Sequence, residues 1–369
     1  MGALNKKIIL TVTNSLTYDQ RMQRICRSLS KAGYNVELVG RELPNTPLLA
    51  QEPYAQKRLK CFFYKGKFFY LEFNLRLLFY LFFQKADALC AVDLDTIVPV
   101  FIAGKLKKAK LVFDAHEYFT EVPEVVRRPA VQKVWQWVER TFVPRFDLAY
   151  TVSNGLSQLF QKQLGVTFQV IRNVPAKAVA DLSATGKPDG RYILYQGALN
   201  EGRGLENLLE AMKDISVPLK LAGEGDLSTQ LRQQAAKLNL NDKVEFLGFV
   251  EPEKLKKITA QATIGINLLE PAGKSYYYSL ANKFFDYVQA GIPQICINFP
   301  EYSYLNGQYE VAALVKNTSP HEIKNAVERL LNDKSFYSRL QGNCAGCAAA
   351  INWDTEEQKL LTLYHELLR

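Results

Sequence analysis

The sequence predicts an α/β protein built from two Rossmann-like domains, each a parallel sheet covered by helices on both faces. Three observations predict it. The chain has 369 residues, which at roughly 150 residues per domain suffices for two domains. Short β-rich runs alternate with longer helical patterns from end to end, an alternation that builds parallel sheets. The alternation restarts after residues 172–190, a stretch rich in Pro, Gly, Ala and polar residues with no apolar period, which reads as a linker.

In the first half, strands are expected at Lys7–Thr13, Asn35–Val39, Asp87–Val92, Lys110–Asp114, Asp147–Val152 and Phe168–Ile171. Between the first two, Asp19 to Lys31 places Met22, Ile25, Cys26 and Leu29 on one face at helical spacing, and Gly33 ends the run. A helix over Asp95–Lys107 follows the third strand, and one bearing Trp135 and Trp137 precedes the fifth. Beyond the linker, strands are expected at Tyr192–Gln196, Leu219–Ala222, Val244–Leu247, Ile264–Leu268, Gln294–Ile297 and Val311–Val315. The helices between them include Gly204–Met212, Leu227–Leu238, Pro252–Ala260 and Asn282–Ala290, and Asp354–Arg369 adds one more.

Composition narrows the class. With 48% hydrophobic and 22% charged residues the chain is not a disordered one. Its 6 cysteines (Cys26, Cys61, Cys90, Cys296, Cys344, Cys347) are scattered, mostly inside apolar stretches, which is how a reduced protein uses cysteine as a small core residue. Lys plus Arg exceeds Asp plus Glu, 46 against 37, for a net charge of +9, which favours anionic partners without choosing among them. Residues 1–13 hold too short an apolar run for a secretory signal and read as the first strand, and no apolar run reaches the roughly 18 residues of a membrane span. One segment stands out: Lys67–Ala86 is dense in Phe, Leu and Tyr, and Lys57, Arg58, Lys60 and Lys65 precede it. It reads either as a mostly buried helix on a sheet or as an interfacial helix resting on anionic lipid, a peripheral membrane contact through residues 57–86.

Ligands of doubly wound sheets bind where loops leave the carboxyl ends of strands. Three such loops in the second half carry suitable residues. Tyr195 to Glu206 runs from a strand through Gly197, Gly202, Arg203 and Gly204 into a helix, which suits a diphosphate: glycine admits backbone to a ligand, a helix start offers free N–H groups, and arginine supplies a fork of donors. A plain tight turn would read the same way, and the loop is neither a dinucleotide fingerprint nor a P-loop. Gly223-Glu224-Gly225 follows the next strand. Glu270 to Pro293 leads through Tyr276, Tyr277, Tyr278 and Ser279 to Asn282-Lys283 and Asp286. Lys283 in a first helical turn opposes the helix dipole, a cost an anionic ligand would offset, while Asp286 one turn on could hold ribose hydroxyls; the alternative is a solvated Lys–Asp pair.

In the first half, His116 follows the strand ending at Asp114, where it could bond a sugar hydroxyl or a phosphate; His321 and His365 sit in charged helical surroundings and read as surface residues. Asp93-Leu94-Asp95 has the D-x-D spacing of a metal–nucleotide motif, yet a strand end running into a helix makes an N-cap plus binding-loop position the better reading. Cys344 and Cys347 are spaced C-x-x-C without the further ligands a zinc site needs.

These stretches together resemble bacterial glycosyltransferases of the GT-B fold, family 4. The resemblance rests on Tyr18-Asp19-Gln20-Arg21-Met22, Asp93-Leu94-Asp95-Thr96, Phe113-Asp114-Ala115-His116-Glu117, Tyr195-Gln196-Gly197 with Arg203-Gly204-Leu205, Gly223-Glu224-Gly225, Phe246-Leu247-Gly248, and Asn282 to Tyr287 with Ala290-Gly291-Ile292-Pro293. It implies two domains facing across a cleft: residues 1–172, joined by the crossing-back helix 354–369, for the acceptor, and residues 190–353 for the nucleotide sugar. It implies transfer of a sugar from a nucleotide-diphosphate donor to a saccharide or lipid-linked acceptor, with retention, without an essential metal and with no cofactor beyond the donor. Arg203 and Lys283 would then neutralise the diphosphate, Asp286 would hold the ribose, and Gly197, Gly223 and Asn282 would line the donor. His116 would touch the transferred sugar or its phosphate, and Asn14 and Ser15 would face the diphosphate. Asp19, Arg21, Asp93 and Glu117 would lie on the acceptor side or in the cleft. Two departures mark this chain: Tyr278 stands where many relatives carry the first Glu of the E-x7-E pattern, and Ala198 where many carry Arg.

The leading expectation is therefore a retaining glycosyltransferase of cell-surface polysaccharide or glycolipid assembly, cytoplasmic and peripheral on the inner face of the cytoplasmic membrane. A nucleotide-sugar epimerase and a non-catalytic two-lobed sugar-binding protein are the alternatives. Nucleic acid is set aside as a partner, because the positive charge is dispersed and no reading motif is present.

Overall fold

The computed structural model describes residues 6–177 and 191–369. Most of the linker expected at 172–190 lies outside the described residues. The chain divides into two units, Met1–Arg172 with Glu356–Arg369, and Asn173–Thr355.

In chain order the first unit comprises β1 (Lys7–Thr11), α1 (Gln20–Lys31), β2 (Asn35–Arg41), β3 (Ala55–Leu59), α2 (Gly66–Phe83), β4 (Ala88–Val92), α3 (Ile97–Lys107), β5 (Lys110–Ala115), α4 (Pro123–Val126), α5 (Pro129–Phe142), β6 (Leu148–Thr151), α6 (Asn154–Leu164) and β7 (Gln169–Val170). The strands form one sheet in the order β3-β2-β1-β4-β5-β6-β7, parallel throughout. β1 lies between β2 and β4, in register Ile8↔Val36 and Ile8↔Ala88. The central strands are apolar runs because helices cover both their faces: Ile8, Ile9, Leu10, Leu89 and Cys90 are wholly buried. Asp19 starts α1 by accepting the Met22 amide through its side chain.

β3 escapes a reading of apolar patterns. Its sequence, Ala-Gln-Lys-Arg-Leu, lies at the sheet edge with Lys57 exposed. Charged residues there discourage pairing with another chain and erase the apolar alternation that signals a strand. Lys57 and Arg58, which the sequence places in a basic run ahead of a helix, are thus strand residues.

The second unit runs β8 (Ile193–Gln196), α7 (Leu205–Met212), β9 (Leu219–Ala222), α8 (Ser228–Lys237), β10 (Val244–Gly248), α9 (Pro252–Gln261), β11 (Ile264–Asn267), α10 (Lys274–Tyr277), α11 (Asn282–Gln289), β12 (Gln294–Ile297), α12 (Pro300–Tyr309), β13 (Ala312–Val315), α13 (Pro320–Asn332) and α14 (Lys334–Ala350). Its parallel sheet has the order β10-β9-β8-β11-β12-β13. In both sheets the strand order reverses beside the first strand, the place where doubly wound sheets open a crevice at their carboxyl ends. Cys344 and Cys347 lie one turn apart on α14 and are both buried in this unit's core.

A final helix, α15 (Trp353–Leu367), brings residues Glu356–Arg369 into the first unit. Glu356, only 1% exposed, accepts from the Arg172 amide (3.0 Å) and guanidinium (3.2 Å). The Tyr364 hydroxyl meets that of Tyr150 on β6 at 3.4 Å. The tyrosine contact is buried and the Arg172–Glu356 one partly so, and through them residues 356–369 pack into the first unit.

Candidate active site

At the carboxyl end of the first unit's sheet, four charged side chains from α1 and the ends of β4 and β5 converge. Asp114 on β5 is completely buried. Arg21, on α1 and also buried, donates to Asp114 Oδ1 at 2.8 Å and to the Ile171 carbonyl at 2.9 Å. On its other oxygen Asp114 meets His116 Nε2 at 3.0 Å. The His116 amide donates to Asp93 Oδ1 at 2.9 Å, and Asp93 Oδ2 lies 3.9 Å from His116 Nδ1. Burial would raise the Asp114 carboxyl, but Arg21 and then His116 outweigh it and hold it below the usual range. Burial lowers His116, yet Asp114 and then Asp93 outweigh that and push the imidazole up to about 9, which favours its protonated form. Burial pushes the Asp93 carboxyl up, to about 8, against the pull of His116.

Asp93 follows β4 directly, at φ 57° and ψ 179°. That region is costly for any residue but glycine, by about 1–3 kcal/mol. Its side chain does not cap the following turn; it receives the His116 amide instead, so the N-cap reading of Asp93 is corrected. Asp95 accepts from Thr13 Oγ1 at 2.5 Å, and burial raises its carboxyl to about 6.

The expected first-unit residues fall into two groups. His116 and Asp93 form the cluster, and exposed Glu117 follows His116. Asn14, Ser15 and Asp19 lie in the loop after β1: Asn14 Nδ2 donates to Asp19 Oδ2 (2.6 Å), and Arg58 Nε holds the Ser15 carbonyl (2.8 Å). Arg21 sits beneath the cluster rather than on its open side. With 3% of its surface exposed and its guanidinium committed to Asp114 and Ile171, it acts through Asp114 and does not itself face an acceptor.

In the second unit the loops after β8, β9 and β11 meet around two cations. Gly197 follows β8 at φ 127°, and a Cβ placed on it would stand 3.4 Å from Lys283 Nζ. Gly223 follows β9 at φ 146°; a Cβ there would lie 2.0 Å from the Gly197 carbonyl oxygen, so only glycine lets the two loops touch. Lys283 is 8% exposed in the first turn of α11, with its ammonium 3.7 Å from the centre of the Tyr195 ring. Burial, and after it the charge of Arg203, holds the Lys283 pKa well below its ordinary value, with Asp286 opposing. Arg203 lies 4.8 Å over the Tyr276 ring, and its buried Nε has no hydrogen-bond partner among the described residues.

Lys283 and Asp286 are not the solvated pair their spacing allows. Among the described residues no carboxylate lies within ion-pair distance of Lys283, and Asp286 Oδ2 accepts instead from Gln196 Nε2 at 2.9 Å. Gln196 is held in turn by Thr259, whose hydroxyl donates to its Oε1 at 2.7 Å. Asn282 is exposed at the start of α11, and Tyr278 is half-buried against Tyr277.

Sequence reasoning quoted Gln196 and Glu270 without giving them a role and passed over Thr259. Glu270 leaves the carboxyl end of β11, donates its amide to the Gly202 carbonyl (2.9 Å) and accepts weakly from Thr318 (3.4 Å). Burial, and then Glu206, raises its carboxyl. The available signal was position: an acid just past an apolar strand beside the point where strand order reverses. Among the described residues no group of three or more His, Cys, Asp or Glu side chains is placed to hold a metal ion.

Comparison with known proteins agrees with this division. The family model described as Glycosyltransferase Family 4 matches residues 20–175, and that described as Glycosyl transferases group 1 matches residues 181–344. An uncharacterized glycosyltransferase of Methanocaldococcus jannaschii is 27% identical over 189 residues, 48% of this chain and 45% of the relative. The D-rhamnosyltransferase WbpZ of Pseudomonas aeruginosa is 27% identical over 155 residues, 42% of this chain and 40% of that protein. The matched stretch thus takes in less than half the length of either curated relative. Among solved structures, sucrose-phosphate synthase from Thermosynechococcus elongatus superposes with a TM-score of 0.80 at 18% identity, over 98% of this chain and 99% of that one. Anabaena HepE, solved with UDP and glucose, gives 0.76 at 16% identity, over 98% and 100%. At these identities the structural likeness speaks to the fold.

Proposed function

We propose a reaction for this chain from the premise that it belongs to the GT-B fold glycosyltransferases related to group 1 and family 4: retaining transfer of a sugar from a nucleotide-diphosphate donor to a saccharide or lipid-linked acceptor, in polysaccharide or glycolipid assembly. One observation carries the reading. Beside the touching glycine loops of the second unit stand two sheltered cations, Arg203 and Lys283, with no carboxylate within ion-pair distance among the described residues. Two such cations cost free energy alone and call for an anion with charge to spread over both. A diphosphate meets that need, and Gly197 leaves the room for it to approach.

The chemistry follows from where charge develops. The bond between the anomeric carbon and the β-phosphate oxygen breaks, and the nucleoside diphosphate leaves with the electron pair. The acceptor hydroxyl oxygen bonds to the anomeric carbon on the same face, and its proton passes to the departing phosphate. Arg203 and Lys283 stabilise that phosphate more in the transition state than in the ground state, which is the condition for accelerating the step. Asp286, oriented by Gln196 and Thr259, accepts the ribose hydroxyls. In the first unit the His116 imidazolium, backed by ionised Asp114, offers a hydrogen bond to a sugar hydroxyl.

The reading is tested by thermal shift with UDP-, GDP-, ADP- and dTDP-sugars, since a ligand held by the native state raises its melting temperature. One donor class should stabilise the protein, and Lys283→Met should abolish the shift. No shift with any donor would overturn the reading. Formation of the donor's epimer without acceptor, followed by NMR, would turn it into that of an epimerase.

A further inference from the structure

The outward face of α2 is apolar although none of the described residues covers it. The helix buries one stripe, Phe69, Phe73, Leu77 and Leu81, against its own unit. The opposite stripe, Phe68, Leu71, Leu75, Phe79 and Phe82, recurs at intervals of three and four and is exposed, Phe79 at 69%. Just before the helix, Phe62 is 81% exposed. Leu106 of α3 extends the surface at the far end, where neighbouring Lys107 donates to the Phe82 carbonyl at 2.7 Å. A groove of about 470 Å³ between β3 and α2, lined in part by Leu59, Leu75, Phe79 and Phe83, continues it along the flank. Soluble monomers rarely expose so large a contiguous apolar surface.

Cations fringe this face. Residues 57–86 hold seven Lys or Arg and one acid, Glu72, and Glu72 is committed to Arg76 and to the Phe62 and Phe63 amides. Lys67 lies 5.3 Å from the Phe68 ring and Lys107 5.7 Å from that of Phe82, charged heads at the margin of aromatic rings. From apolar face and basic fringe together, we infer that α2 docks the protein on an anionic phospholipid bilayer, lying in the interfacial plane with its aromatic stripe among the acyl chains.

Other occupants fit less well. No helix of the described residues is long and apolar enough to cross a membrane, and a stripe buried in the sheet's own layer cannot turn to lipid. A second copy paired through a two-fold axis would set these cations against themselves. Docking stands apart from the transferase reading. Only its consequence rests on that reading: Asn74 of α2 donates to the Asp95 carbonyl at 3.0 Å, so a lipid-linked acceptor would reach the first-unit cluster along the docked helix.

The test is co-sedimentation of the full chain with vesicles of phosphatidylcholine alone or with about one third phosphatidylglycerol. Partitioning onto the anionic vesicles should exceed that onto neutral ones by at least about tenfold, and fall as salt shortens the screening length from about 10 Å at 0.1 M to about 3 Å at 1 M. Phe79→Ser with Phe82→Ser, and separately Lys65→Glu with Lys67→Glu, should each cut it by about tenfold or more. All four positions are exposed, so unchanged circular dichroism is expected. Equal partitioning onto both vesicles, no binding, unaltered binding by both variants, or a solution dimer that the serine variant dissociates would each overturn the proposal.

Discussion

The two units repeat one topology and treat charge in opposite ways at the same place. At the carboxyl end of the first sheet, Arg21, Asp114, His116 and Asp93 bond to one another, with Arg21 Nε alone left unpaired among the described residues. At that end of the second, Arg203 and Lys283 shelter on aromatic rings, with no carboxylate within ion-pair distance among the described residues. A closed network stabilises its own unit and presents a shaped, polarised surface. An open pair of cations leaves its neutralisation to a ligand. The contrast shows that strand order alone assigns no role: what differs is whether the charges meet each other or await a partner.

The comparison breaks first at Arg21. Arg21→Met strands a buried carboxylate, and its unfolding free energy in urea should fall by about 3–5 kcal/mol. A loss under about 1 kcal/mol would mean that His116 alone sustains Asp114.

Lys283→Met sharpens the other side. Turnover should fall by about 10²–10³, the usual loss from deleting one transition-state charge contact, while the urea midpoint holds or rises because an unneutralised buried cation has gone. A midpoint drop as large as that of Arg21→Met would erase the distinction. Because burial and Arg203 hold Lys283 below its ordinary pKa, a bound diphosphate should raise it. Nucleoside diphosphate affinity should therefore weaken as pH rises through the free protein's Lys283 pKa, with proton uptake seen by calorimetry in buffers of unlike ionisation heat and lost in the variant.

A smaller effect is expected of pH on the first unit. Asp114 and Asp93 outweigh burial and push the His116 imidazole in the fold up from its ordinary 6.5 to about 9. Its contribution is complete below about 6.5 and lost as pH climbs through about 9, a decline on the order of 1–2 kcal/mol after relaxation of the pair with Asp93. Denaturation midpoints measured across that window should slope down for the native chain and flatten in His116→Gln. Smallest is Gln196→Ala, which frees Asp286 from its orienting amide: donor KM should rise by about tenfold or less with kcat nearly unchanged, as for one lost hydrogen bond.

Legibility followed the range of the interactions. The central strands could be read because both their faces are buried, so that Leu219–Ala222 and Gln294–Ile297 match the structure residue for residue. β3 could not, since an edge strand needs few apolar residues. For the site, glycines and strand ends marked the loops in which Gly197, Gly223, His116 and Lys283 lie. The partners were illegible. Arg21 and Asp114 are 93 residues apart in sequence, and Gln196 and Asp286 are 90. No local pattern says that Arg21 turns inward onto Asp114 while Arg203 lies over the Tyr276 ring. The segment 67–86 carried two readings, a buried helix and an interfacial one; α2 has one apolar stripe inside and another outside.

Periodicity of apolar residues, read along the chain, was enough to specify two parallel-sheet units and the glycine-marked loops at their strand ends, because helix and strand formation and the burial of one face answer to neighbours a few positions away. Which cations found carboxylates, which were left for a ligand, and which apolar face stayed uncovered were decided only by the packed chain, because Coulomb pairing and burial depend on distances in space that sequence separation does not contain.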